Sequence, residues 1–291
     1  MASEEAPTGD EPTGVLNKAK GGVAFVLLFW AGYVAISFAA GFASSSMIGS
    51  EVWQLTAWGF VSSLGLLALS RFLARIDRAP RANPGPPLGP AGLGRFAIGF
   101  LLGLASYGVH VAIVATFAGP IRFEWVPGVG ALAAALYFAR FLATSCMEEL
   151  GFRGYALRRL VGVTGPWAAV CLTAVAFGLS HLNYGWDMRT IVFGVVPPGL
   201  LWGMSALATR GLGVPIGLHA AWNFAGWSAG SRAETGILHM VVEDGALEST
   251  QAVGTMSYLF VFGALTLAFW HMHRRAAHAG LPPGAPAQHA D

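Results

Sequence analysis

Charge is what this sequence has least of. Only 11% of its 291 residues are Asp, Glu, Lys or Arg, while 55% are hydrophobic. Soluble domains carry about 25% charged residues, so the composition describes a polytopic membrane protein rather than a soluble one. The net charge of +2 comes without a basic stripe, which excludes a nucleic-acid partner. There are two cysteines, Cys146 and Cys171, both in apolar stretches. That rules out a disulfide framework or a cysteine-built zinc site. Three catalytic patterns are absent too. No His-Glu-x-x-His stands ready for a zincin, and Gly178-Leu179-Ser180-His181 fails the last glycine of a serine elbow. No pair of aspartates lies in apolar sequence.

What is present is a series of long apolar runs, at roughly 22–43, 53–74, 95–118, 129–150, 167–183, 190–209, 213–229 and 255–273. Most reach the ~20 residues that cross the bilayer core. The expected fold is therefore an all-α polytopic membrane protein, a bundle of about eight transmembrane helices with a buried polar site. Residues 1–20 and 276–291 read as disordered cytoplasmic tails around a membrane domain at 21–275. Arg78–Pro90 reads as an extended proline-rich linker, and Pro197-Pro198 should kink or break the sixth segment. With the N-terminus inside, thirteen of the seventeen Lys and Arg fall in inner loops and ends and only Arg122, Arg189 and Arg232 in outer ones. That asymmetry puts both termini in the cytoplasm. Arginine outnumbers lysine fifteen to two, which points to a GC-rich bacterial genome and hence a bacterial cell membrane.

Ionisable groups in membrane-buried sequence are costly and mark function. Met147-Glu148-Glu149-Leu150-Gly151-Phe152-Arg153 puts two carboxylates and an arginine near the end of the fourth run. Glu149 and Arg153, four apart, share a helix face and can pair; Glu148 is turned about 100° away. Gly162–Pro166 makes a hairpin of segments four and five, placing Glu148 and His181 at similar depth. His219 stands nine residues beyond Arg210, nearly the ten (roughly 15 Å) that separate Glu148 from Arg158, and Asn223 follows it by one turn. Arg140, nearer the outer interface, is expected to snorkel. Gly151, Gly178 and Gly217 suit close helix approach. Phe177 reads as packing and His110 as a helix-pairing histidine without polar company. Trp30, Trp53, Trp186 and Trp270 read as interfacial belt residues.

A carboxylate beside a histidine can take a proton from water, and a His/Asn pair on one face can hold an oxyanion. Glu148 with His181, and His219 with Asn223, fill these roles. The same Glu148, His181 and His219 could instead form a His2Glu zinc site with an open position. The residues alone leave both open.

Taken together, three motifs resemble the CPBP family of intramembrane proteases, which includes CAAX prenyl endopeptidases and bacteriocin-processing or self-immunity proteins. They are Glu148-Glu149-Leu-Gly-Phe-Arg153, Phe177-Gly-Leu-Ser-His181 and His219-Ala-Ala-Trp-Asn223. The resemblance covers about 130–228. It implies that Glu148 and His181 activate water, that His219 and Asn223 form the oxyanion hole, and that Glu149 and Arg153 hold the first helix in place. It implies an endopeptidase acting without an essential cofactor on a peptide or membrane-protein substrate. A zinc-dependent protease and a non-catalytic scaffold or immunity protein are the alternatives. A proton relay ranks third, because the outer halves of the segments offer few polar groups.

Overall fold

A computed structural model describes residues 12–77, 90–119, 121–231, 236–243 and 245–279. Eight helices follow one another: α1 (Pro12–Met47), α2 (Glu51–Ile76), α3 (Pro90–Phe117), α4 (131–164), α5 (Pro166–Ser180), α6 (Met188–Ala208), α7 (Gly213–Ser228) and α8 (Leu247–His278). The protein is thus an all-α bundle of the kind the apolar runs predict. Two boundaries differ. Residues 12–20 belong to α1 and 276–278 to α8, so the expected tails start helical: Lys18 and Lys20 do not stop α1, and α8 continues through a polar turn. The rest of both tails, and all of the proline-rich linker except Pro90, fall outside the described residues.

Five helices (α1, α2, α3, α6 and α8) are long and apolar enough to cross a membrane. The other three are α4, interrupted by charge, and α5 and α7, of 15 and 16 residues. At 1.5 Å per residue, α5 and α7 measure ~22–24 Å, less than the ~30 Å core. These three helices, with the 3-10 turn His181–Tyr184 that follows α5, carry all six candidate site residues. The sequence therefore separates an apolar wall from a polar interior.

The most enclosed helix is α7, in which every residue from Gly213 to Trp222 is buried. It packs against α3, α4 and α6. Its contact with α3 is backbone to backbone. A Cβ at Gly217 would stand 2.6 Å from Phe100 N, and one at Gly103 of α3 would stand 2.8 Å from Leu218 O. Helix pairs in lipid lack a hydrophobic drive between them and gain from such close approach. At the junction of α4 and α5, Gly165 takes φ +80° and Pro166 opens the next helix, so the expected hairpin forms.

Both helices that flank the site contain a π-turn. In α4 it spans Leu150–Gly154, and the indole N–H of Trp30 on α1 reaches Gly151 O at 3.2 Å. Trp30 is therefore a helix-pairing residue packed on the core, not the belt residue its sequence position suggests. In α6 the π-turn spans Ile191–Val195, directly before Pro197-Pro198. Proline has no N–H to give back to the preceding turn. The carbonyl left open at Gly194 takes the Tyr258 hydroxyl of α8 at 2.6 Å. The helix continues through the prolines to Ala208, because a neighbouring side chain replaces the lost donor.

A short ribbon was not legible in an all-α pattern. Ile121–Trp125 (β1) pairs antiparallel with Leu238–Val242 (β2), Ile121 opposite Val242 and Trp125 opposite Leu238. His110 also differs from expectation. Its Nδ1 lies 2.6 Å from Ser257 Oγ, so it does pair helices α3 and α8, but with a polar partner.

Candidate active site

One cavity of about 420 Å³ gathers Glu148, His181, His219 and Asn223 in its wall. Glu149 and Arg153 stand behind that wall, each with a fully buried side chain. The 100° between adjacent helix positions produces this division: Glu148 turns to the cavity and Glu149 to protein. Glu149 and Arg153 form the expected i,i+4 pair at 3.4 Å. Arg153 also donates to Gly199 O of α6 at 3.0 Å and lies 4.5 Å from the Phe177 ring centroid. Phe177 is packing, as read, and tilts edge-on against His181 at 4.7 Å.

Histidine partners define what each ring can do. His181 opens the 3-10 turn His181–Tyr184 at the end of α5. Its Nδ1 lies 2.9 Å from Phe177 O; a carbonyl only accepts, so Nδ1 carries the hydrogen and Nε2 keeps a lone pair. His219 Nδ1 lies 2.9 Å from Glu149 Oε1, and its Nε2 lies 3.3 Å from Glu148 Oε2. Both carboxylates of the Glu-Glu pair thus converge on a single imidazole. Pairing was expected between Glu148 and His181; among the described residues no hydrogen bond joins them, and His219 is the histidine in direct contact. His181 reaches Glu148 only across the cavity.

Several wall residues were missed or misplaced in the sequence. Trp202 of α6 lies face to face with His219, ring centroids 3.7 Å apart and planes 12° from parallel; a tryptophan inside an apolar run gives no sign of such a contact. Trp186, read as a belt residue, lines the cavity and approaches His181 to 5.1 Å. Arg140 was expected to snorkel outward, but it lines the cavity together with Thr144 and Glu51. Arg140, Thr144 and Glu148 are spaced four apart, which places them on one stripe of α4. That spacing was the available signal, and it contradicts the reading that polar groups stop at mid-depth. Beside the site, Asp187 starts α6. Thr190 donates to its carboxylate from N–H and hydroxyl, both at 2.9 Å, and these bonds hold the carboxyl below its usual range.

The zinc alternative was tested on the donors themselves. His181 and His219 each hold Nδ1 on an oxygen acceptor, Phe177 O and Glu149, which leaves their Nε2 atoms as the donors a metal would need. Among the described residues, no three His, Cys, Asp or Glu side chains group as metal ligands. Glu148, His181 and His219 therefore do not fit a zinc ion in this arrangement.

Residues 130–225 match the family model described as type II CAAX prenyl endopeptidase Rce1-like. The matched 96 of 291 residues make this part of the chain similar to that family. The match spans all of α4, α5 and α6 and α7 up to Ala225, which are the helices that carry the cavity's candidate residues, and it supports CAAX-type endopeptidase activity in general terms. No curated protein matches the chain. The five apolar helices and this likeness together support an integral membrane protein.

Proposed function

We propose that the cavity is the catalytic site of an intramembrane endopeptidase that uses a glutamate-activated water. The reading rests on one observation: the four candidate reactive residues share one cavity wall, with the Glu149–Arg153 pair buried behind them. In this reading, water sits between Glu148 and His181, and His181 Nε2 accepts one of its hydrogen bonds. Glu148 takes the other proton as the water oxygen attacks the scissile carbonyl carbon. The carbonyl π pair moves to its oxygen and makes an oxyanion. His219 Nε2, next to Glu148, then receives that proton and becomes an imidazolium, with Glu149 on its opposite nitrogen. This resembles the buried carboxylate that orients histidine in hydrolase triads. The new Nε2–H and the Asn223 amide donate to the oxyanion. Collapse breaks the C–N bond, and the leaving amine takes the proton from His219. Positioned acid–base groups are worth about 10²–10⁴ in rate and an oxyanion donor about 10²–10³.

The substrate in this reading is a peptide or membrane-protein segment drawn into the bundle. The test is cleavage of a membrane-peptide library by purified protein, beside Glu148→Gln, His181→Ala and Asn223→Ala, each checked for unchanged thermal unfolding. Loss of about 10²-fold or more in each supports the assignment. Full activity in Glu148→Gln would falsify it, and biological activity that survives an inactive Glu148→Gln would favour a scaffold or immunity role.

A further inference from the structure

Trp202 has no part in any of the three motifs, yet it makes the closest ring contact in the cavity wall. Its centroid is 3.7 Å from that of His219 at 12°, with both residues at least 95% buried. A separation so close to the thickness of two rings leaves little sideways offset. Two neutral rings avoid that overlap, because their negative faces repel. An imidazolium over an indole face gains from it, since the ring quadrupole attracts the cation. In the plane of the imidazole, Glu149 holds Nδ1 at 2.9 Å and Glu148 stands at Nε2, 3.3 Å away. Out of the plane, the indole covers one face.

We infer that Trp202 is a positioning residue whose π face stabilises the imidazolium of His219 when it carries the proton of the attacking water. The inference rests on the catalytic reading above. In this role Trp202 acts through His219. In contact with that imidazole are Glu148 and Glu149 on α4; Arg153 stands one turn further on, and His181, Tyr184, Tyr258, Arg140 and Glu51 line the same cavity. Arg153 pairs with Glu149, lies over Phe177 and stands 5.6 Å from the Trp202 ring centroid. The negative groups contact His219 directly and Arg153 does not.

The test replaces Trp202 by tryptophans bearing one to four ring fluorines, which keep the indole's shape and withdraw its π charge. Peptide cleavage is followed as kcat and KM separately. Expected is a stepwise fall in kcat, reaching about 10–30-fold with four fluorines for a desolvated cation–π contact. KM should stay within about 3-fold, and the acidic limb of the kcat–pH profile should move to lower pH, because the proton is held less well. Trp202→Phe keeps an aromatic face and should retain more activity than Trp202→Leu. Unchanged kcat across the fluorinated series overturns the inference, as does a loss seen only in KM. If wild type and Glu148→Gln cleave equally, the catalytic reading fails and takes this one with it. If Glu148→Gln is dead and the fluorinated series is flat, only the role of Trp202 falls.

Discussion

Glu148 and Glu149 are adjacent in sequence and face opposite surroundings, and their substitutions should separate accordingly. Glu148 is 14% exposed and lines the cavity; Glu149 is fully buried between Arg153 and His219. Removing one partner of a buried ion pair leaves an uncompensated charge and costs about 3–5 kcal/mol. Glu149→Ala should therefore lower the thermal unfolding midpoint sharply in detergent or nanodiscs, and Glu148→Gln should leave it almost unchanged while cleavage disappears. Equal unfolding midpoints for the two variants would remove Glu149 from its supporting role. The two facings follow from helix geometry, so the sequence carried them. The choice of histidine did not follow. Equal depth along two helices says nothing about azimuth, and the ring beside both glutamates is His219 rather than His181. Metal dependence also belongs at this scale. Because Glu148, His181 and His219 do not gather round one ion, cleavage should persist in a zinc chelator. Activity lost to chelation and restored by zinc would return Glu148, His181 and His219 to the role of ligands.

At the scale of elements, the two π-turns show how polar backbone is managed inside an apolar bundle. Irregular backbone in a membrane is tolerated where protein groups satisfy it, here Trp30 at Gly151 and Tyr258 at Gly194. Tyr258→Phe should destabilise the protein by roughly 1–3 kcal/mol through the unpaired Gly194 carbonyl. Adding Pro198→Ala restores an N–H four residues after Gly194, so the double variant should regain part of that loss in a thermal-unfolding series. No recovery would mean that Tyr258 acts by packing alone. The prolines were visible in the sequence; the tyrosine 60 residues later that compensates one of them was not, because pairing between distant helices leaves no periodic trace. The glycines show the opposite case. Gly217 was marked for close approach, and the backbone of Phe96 and Phe100 fills the place of its side chain. Gly217→Leu should fail to fold, with loss of the monodisperse detergent peak as the readout.

For the whole molecule, the two ends of the bundle differ in charge, and contacts between segments show which residues share an end. Arg159 near the end of α4 lies 2.6 Å from Asp77 at the end of α2, and Tyr155 donates to the same carboxylate at 2.7 Å. A side chain at Gly22 of α1 would stand 3.3 Å from Arg159, and one at Gly211, between α6 and α7, 3.5 Å from Arg95 of α3. The start of α1, the end of α2, the start of α3 and the turn before α7 therefore gather at one basic end. The β1–β2 ribbon ties the α3–α4 connection to the α7–α8 connection, and four helices separate those two connections. Loops on one side of a membrane must be separated by an even number of crossings, so the ribbon fits eight spans and would conflict with α7 alone failing to cross. By the positive-inside rule the expectation is an arginine-rich end in the cytoplasm and a ribbon outside. In a background without Cys146 and Cys171, a cysteine at Glu124 on the ribbon should react with an impermeant maleimide added to intact cells. A cysteine at Ile76, the last residue of α2, should react only after the cells are opened. The reverse pattern would invert the orientation, and labelling of both positions in intact cells would break the even count on which the eight-span bundle depends.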